Sequence, residues 1–273
     1  MNDNKLAITA NHIRQGIVTA VYNAKSGHPG GSLSIADIMT YLYFEEMNID
    51  PDDPDKKDRD RFVLSKGHTA PALYSTLANR GFFSVKELES LRHVGSILQG
   101  HPDMKHIPGV DMSSGSLGQG TSVAVGLAMG ARAAGLDSHV YVIVGDGEIQ
   151  EGQTWEAAMS AAHFKLDNLT WIVDNNRLQI MGSNDEVMGL GSLEDKYRSF
   201  GFEVLSVDGH DYEQLLTALQ AGTDGKPKCI VAHTIKGKGV SFMENQVKWH
   251  GATLSPEQLD KALEELDAEE AAL

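Results

Sequence analysis

The run Val140-Tyr141-Val142-Ile143-Val144-Gly145-Asp146-Gly147 and its counterpart Leu169-Thr170-Trp171-Ile172-Val173-Asp174-Asn175-Asn176 decide how this chain is read. Each opens on an apolar, β-branched segment of strand length. Residues 151–164 between them place Trp155, Ala158, Met159, Ala162 and His163 on one predicted helix face. That is a βαβ unit. A right-handed crossover of about 30 residues makes the two strands parallel, so both run out at the same sheet edge, where α/β proteins bind ligands. Asp146 and Asn176 are therefore expected close together.

A carboxylate and an amide oxygen converging beside glycines suit a hard divalent cation such as Mg²⁺, which takes oxygen ligands and is commonly shared with phosphates. At Gly147 the missing Cβ lets amides near the start of the following helix face a diphosphate, whose charge a helix N-terminus favours.

The chain has 273 residues, 41% of them hydrophobic, enough to bury the core of one large α/β domain over residues 1–273. Its formal charge of −15 argues against nucleic acid or an anionic membrane as partner, since both need a basic surface. After Ser255 seven acidic residues stand against Lys261, and Ser255-Pro256-Glu257 reads as N-cap, N1 and first turn of a solvated acidic helix at about 255–270. The one cysteine, Cys229, lies in an apolar run and reads as a buried strand thiol of a reducing compartment. No run resembles a secretory signal or approaches the roughly 20 apolar residues of a membrane span, so a cytoplasmic protein is expected.

In chain order, a first helix over 5–21 leads into Ala24-Lys25-Ser26-Gly27-His28-Pro29-Gly30-Gly31-Ser32, too rich in glycine to be regular. Ser34 is read as the cap of a helix through Met47. Arg61–Ser65 is a strand running into Lys66-Gly67-His68 and a helix to about Arg80, the second histidine at an irregular junction. Ser84 opens a helix with Leu88 and Leu91. Residues 94–119 form a long, anchored loop holding Gly100-His101-Pro102 and Gly115-Ser116-Leu117-Gly118, before an apolar helix over Thr121–Ala134. Later come a short helix near Leu193–Phe200, a strand at Val204–Val207, a helix at Tyr212–Ala221 and a strand at Cys229–His233. The sum is about five strands in a doubly wound, mostly parallel sheet with helices on both faces.

Gly145-Asp146-Gly147 followed about thirty residues later by Asn175-Asn176 resembles the thiamine-diphosphate fingerprint, and Glu151-Gly152 narrows the likeness to transketolase. Ser26-Gly27-His28-Pro29-Gly30, Ser65-Lys66-Gly67-His68, Gly100-His101-Pro102, Gly115–Gly120 and His250-Gly251 extend it over nearly the whole chain, in the family's order. The three histidine segments separate it from the related 2-oxoacid dehydrogenases. Full-length transketolases carry further pyrimidine-binding and C-terminal domains, so this chain is similar to the N-terminal subunit of a split transketolase.

That resemblance implies thiamine diphosphate as cofactor, with Mg²⁺ (or Ca²⁺ or Mn²⁺) held by Asp146, Asn176 and the carbonyl of Leu178. It implies cofactor contacts from His68, Gly115, Leu117, Gly147, Glu151, Ile180 and His250. His28, His101 and His250 would face the donor ketose. Glu151 and Glu156 would lie at the subunit contact, and Glu156 would act from there on catalysis. Arg92 lies near a position that helps hold sugar phosphates. The other histidines, His210 among them, match nothing and are read as surface or core residues.

The implied reaction moves two carbons from a ketose, phosphorylated in the family's usual case, to an aldose, with the thiazolium ring taking the electron pair of the broken bond. The glutamate that contacts the aminopyrimidine would come from a second chain carrying the pyrimidine-binding domain, in an α₂β₂ heterotetramer. Two other readings stand beside it. One is a component of a thiamine-dependent 2-oxoacid dehydrogenase, separable by offering pyruvate against a ketose phosphate. The other is a non-catalytic transketolase-like module.

Overall fold

The computed structural model describes residues 1–273. Its strands are β1 (Arg61–Leu64), β2 (Val140–Gly145), β3 (Leu169–Asn175), β4 (Leu178–Gln179), β5 (Gly182–Ser183), β6 (Glu203–Asp208) and β7 (Lys228–His233). Successive strand side chains leave on opposite faces. Val140, Val142, Val144, Trp171, Val173, Cys229 and Val231 enter one hydrophobic core, while Tyr141, Ile143, Ile172, Ile230 and Ala232 enter a second. Central strands buried on both sides are what a parallel sheet requires.

The main sheet runs β1-β2-β3-β7-β6, parallel throughout, with Gly145 opposite Asp174 in register. β4 and β5 form a separate antiparallel hairpin. On one face lie α1 (Asp3–Ala24), α2 (Pro29–Leu33), α3 (Ala36–Tyr41), α4 (Ala70–Arg80), α9 (Tyr212–Gln220) and α10 (Pro256–Ala271); on the other lie α5 (Gln119–Ala133), α6 (Gly152–His163) and α8 (Leu193–Phe200), with α7 (Asn184–Val187) following the hairpin. The chain leaves β3 toward the α8 face and leaves β7 toward the α10 face. The β3/β7 boundary is therefore the switch point at which open α/β sheets form a crevice.

Four local expectations are corrected. Ser34 does not open the next helix but closes α2, its amide donating to the Gly30 carbonyl at 3.2 Å; its hydroxyl donates to the Gly31 carbonyl at 3.0 Å and to Asp174 Oδ2 at 2.7 Å, and the next helix starts only at Ala36. The segment after His28 is not wholly irregular, because Pro29 sits at the first position of the helical turn α2, where its missing N–H costs nothing. Ser84 opens a 3₁₀ segment, Val85–Ser90. The inner face of α6 is Thr154, Ala157, Ala158 and Ala161, while Met159 is 62% exposed; small side chains let this helix approach its neighbours closely.

The acidic C-terminal helix is docked rather than simply solvated. Ala262 and Leu266 are buried in the core shared with α1, and Asn11 Nδ2 donates to the Leu266 carbonyl at 2.6 Å. The long loop is anchored: the Tyr74 hydroxyl donates to the carbonyls of Gln99 and His101, both at 2.9 Å, and Asp111 pairs with Arg59.

Candidate active site

All five parallel strands end at one edge, where most of the chemistry-bearing residues collect. Lys66 and His68 follow β1, Asp146 and Gly147 follow β2, Asp174 and Asn176 end or follow β3, and Lys236 follows β7. Together with His28 and His250 they line a cavity of about 430 Å³.

At its polar end Asp146 and Asn176 lie together, as the crossover requires. Asp146 accepts from the amides of Gly147, at 2.7 Å, and Arg177. Burial, then the neighbouring Asp174 carboxylate, push Asp146 up to about 6. Asn176 is oriented by Asp174: its Nδ2 donates to Asp174 Oδ2 at 2.9 Å, which turns Oδ1 the other way, where it accepts from the Leu178 amide at 3.1 Å. Asp174 is fully buried and also accepts from Lys66, at 2.6 Å, and from the hydroxyls of Ser34 and Thr234.

Lys236 is 2% exposed and forms no ion pair. Its ammonium donates to the Leu178 carbonyl and to His250 Nδ1, both at 3.0 Å. Burial, opposed by Asp174, brings its pKa down to about 8, still a cation at neutral pH.

His28, His68 and His250 form a cluster with ring centroids 5.0, 5.3 and 5.7 Å apart. Burial, then nearby cations, hold all three neutral: His28 falls to about 4 with Arg92 as the next cause, His68 to about 2 with Lys66, and His250 to about 3 with Lys236. His28 Nδ1 is buried without a protein partner. A neutral imidazole keeps one donor and one acceptor, which fits hydroxyl and carbonyl oxygens of a sugar.

Gly115, Leu117, Ile180 and the Leu178 carbonyl also line the cavity, and Leu117 and Ile180 are apolar surfaces 36% and 65% exposed. His101 lies just beyond the lining, its ring 3.3 Å from where a Cβ on Gly115 would stand, and burial followed by Arg92 lowers its pKa. Arg92 donates to Ser26 Oγ at 2.9 Å beside it. Glu151 and Glu156 are exposed on α6 and its approach, outside the cavity.

Sequence reasoning passed over Lys66, Asp174, Glu148 and Lys236. Glu148 is buried and accepts from Ser65 Oγ and from the amides of Gly118 and Gly145, fixing two loops that border the cavity. The signal that could have found them is positional: charged residues directly at the ends of apolar strand runs.

The family profile described as "Transketolase, thiamine diphosphate binding domain" matches residues 5–272. The chain belongs to the transketolase family. It is 44% identical over 268 residues to an apulose-4-phosphate transketolase subunit of Phocaeicola vulgatus, covering 97% of this chain and 95% of that protein. It is 45% identical over 262 residues to "6-deoxy-6-sulfo-D-fructose transketolase subunit SqwG" of a Clostridium species, covering 95% of each. A solved transketolase from Campylobacter jejuni superposes with a TM-score of 0.91 at 34% identity, over 100% of this chain and 46% of that one.

The sheet and its flanking helices are thus the thiamine-diphosphate-binding fold of transketolases, and the residues present fit such a ligand. Lys236 offers a buried cation with no protein carboxylate of its own. The donors Asp146 Oδ, Asn176 Oδ1 and the Leu178 carbonyl are all hard oxygens, and that carbonyl has a second lone pair beside the one Lys236 uses. Gly147 leaves room: a Cβ there would stand 3.2 Å from Gln179 Cβ.

Proposed function

We propose that this chain is the diphosphate-binding, N-terminal subunit of a two-chain transketolase, which moves a two-carbon ketol unit from a phosphorylated ketose to an aldose. The observation carrying this reading is Lys236, a buried and unpaired cation facing a carboxylate–amide–carbonyl oxygen set, which suits a diphosphate bridged by a divalent metal. The near-complete coverage of two relatives named as transketolase subunits supports the two-chain arrangement. The partner in this reading carries the pyrimidine-binding domain, in an α₂β₂ assembly.

In this proposal Asp146, Asn176 and the Leu178 carbonyl hold Mg²⁺, for which Ca²⁺ or Mn²⁺ would substitute. His68, Gly115, Gly147, His250 and Lys236 grip the diphosphate end, and Leu117 and Ile180 pack on the rings. Bound thiamine diphosphate supplies an electron sink for the carbon–carbon bond that breaks. His28, His101 and His250 orient the sugar and exchange protons with its oxygens, being neutral at working pH. Glu151 and Glu156 meet the partner across the subunit contact. One buried thiol and an acidic surface suit a cytoplasmic enzyme.

The experiment is to combine this chain with a candidate second chain bearing the pyrimidine-binding domain, and to assay ketol transfer from ketose phosphates with each chain alone and together. Activity only in the mixture is expected. Full ketol transfer by this chain alone would overturn the two-chain reading, and turnover of pyruvate in place of the ketose would favour a 2-oxoacid dehydrogenase component.

A further inference from the structure

Outside the cavity lining stands His210, to which the sequence alone gives no role. It follows β6 at the same sheet edge, does not line the cavity, and bridges α3 to the segment that follows β7. Its Nε2 accepts from the Ile235 amide at 2.9 Å, and its Nδ1 lies 2.6 Å from Asp37 Oδ2. A backbone N–H can only donate, so Nε2 is unprotonated and the ring proton sits on Nδ1, where the carboxylate receives it.

Asp37 is itself fixed. Arg14 from α1 donates to its Oδ2 at 2.5 Å, and the Tyr212 hydroxyl from α9 donates to its Oδ1 at 2.9 Å. The side chains of Arg14 and Asp37 are 4% and 8% exposed. The Asp208 carboxylate holds the other end of the residue, accepting from the His210 amide at 2.9 Å. The imidazole is thus held in one tautomer between Asp37 and the Ile235 amide, with Asp37 fixed in turn from α1 and α9.

What it clamps is the residue directly before Lys236. On the C-terminal side of Lys236 the backbone is tied by Gly237 N–H to the Gly30 carbonyl and by Asn245 N–H to the Lys236 carbonyl, both at 2.9 Å. On the N-terminal side the tie is the Ile235 amide to His210, after Thr234 has bonded to Asp174. We infer that His210 is a positioning residue: the Asp37-held imidazole fixes the Ile235 amide and so aims the Lys236 ammonium into the cavity. The inference rests on the proposal that Lys236 meets the cofactor diphosphate.

The test compares His210→Gln, whose side-chain oxygen can stand where Nε2 accepts, with His210→Asn, which can still donate to Asp37 but is too short to accept from Ile235. Tyr212→Phe is the control that loosens the same buried network without touching the Ile235 bond. Hydrogen exchange of the Ile235 amide is read in the full chain, and thiamine diphosphate affinity by calorimetry with saturating Mg²⁺. His210→Asn is expected to speed Ile235 exchange and to weaken cofactor binding about tenfold, the loss of one buried hydrogen bond. His210→Gln should restore both, and Tyr212→Phe should lower thermal stability while leaving both unchanged. In a Lys236→Met background, His210→Asn should cost no further affinity, since its effect passes through Lys236.

Equal losses of affinity in Tyr212→Phe and His210→Asn, or an undiminished His210→Asn effect in the Lys236→Met background, would overturn the positioning role while leaving Lys236 as a cofactor contact. Unchanged affinity in Lys236→Met alone would overturn the cofactor role of Lys236, and the positioning role with it.

Discussion

Lys236 Nζ lies 3.0 Å from His250 Nδ1 and donates to it, so the histidine carries its own proton on Nε2. The lysine sets the tautomer, and its charge, after burial, keeps the ring neutral down to about 3. Replacing the lysine therefore alters two groups at once. Lys236→Met keeps the volume and removes the charge. It is expected to weaken thiamine diphosphate binding by about 10- to 100-fold, the range for a lost charge-assisted hydrogen bond, without lowering thermal stability. Calorimetry beside a melting curve checks both, and unchanged affinity would remove Lys236 from the diphosphate site.

Asp146 is the only anionic oxygen donor in the proposed metal set. Asp146→Ala should abolish Mg²⁺-dependent cofactor binding, because the diphosphate charge is then left unbalanced. Asn176→Ala should weaken it less, since a neutral ligand is lost. Titration of each variant with thiamine diphosphate at fixed Mg²⁺ decides the ranking; equal affinities in Asp146→Ala and the unaltered chain would exclude this metal assignment.

Asp174 serves stability as well as the site. Its carboxylate is the counter-charge of the buried Lys66 and the anchor of Asn176. Asp174→Asn leaves the ammonium without its partner and should cost about 3–5 kcal/mol, the usual penalty for breaking a buried pair from one side. Denaturant unfolding measures this directly. A cost below about 1 kcal/mol, the level of an exposed pair, would mean that Lys66 finds another partner or water.

Stability should fall as the medium becomes acidic, with a defined origin. His28, His68 and His250 release their protons more readily folded than unfolded, their values moving from 6.5 to about 4, 2 and 3. Below pH 6.5 the unfolded chain binds more protons, so the stability present above that pH is lost as it falls toward about 4. Asp146 acts in the opposite sense: raised from 3.8 to about 6, it stabilises below 3.8 and loses that contribution as pH rises through about 6. His139, lowered by burial, and the lowered carboxylates Asp37 and Asp174 act with the three imidazoles, while the raised Asp60 and Glu148 act with Asp146; the loss toward acid is the larger sum. In the proposed metal set a protonated Asp146 would not bind metal, so cofactor affinity should fall below about pH 6 as a separate dependence. Melting curves at pH 4–7.5, with and without Mg²⁺ and thiamine diphosphate, separate the two trends. A melting temperature that stays constant over that range without ligand would contradict the three depressed histidines.

The central strands were legible in the sequence because burial on both faces leaves an unbroken apolar run, as in Val140–Val144. The meeting of Asp146 and Asn176 followed from parallel pairing alone. Other residues were not legible because their surroundings come from distant parts of the chain. Ser34 reads as a cap in isolation, yet its hydroxyl is drawn to Asp174, 140 residues away. Lys66 and Lys236 received no role of their own from the sequence, and both lie buried in the loops after β1 and β7. On α6 the expected face of Trp155, Ala158, Met159, Ala162 and His163 is rotated in the fold, where Thr154, Ala157, Ala158 and Ala161 face inward and the helix packs against α5.

Strand order carries a consequence for how the chain is made. β6 touches the sheet only through β7, which is synthesised after it, so residues 203–208 wait without a pairing partner until residues 228–233 are available. Lys236 and His250 follow later still. A nascent chain thus exposes an open edge at β3 for some sixty residues of synthesis, a state in which unpaired strands are prone to aggregate. Ligand-binding competence therefore depends on the last strand of the sheet, since β7 lies between β3 and β6 and Lys236 and His250 lie beyond it.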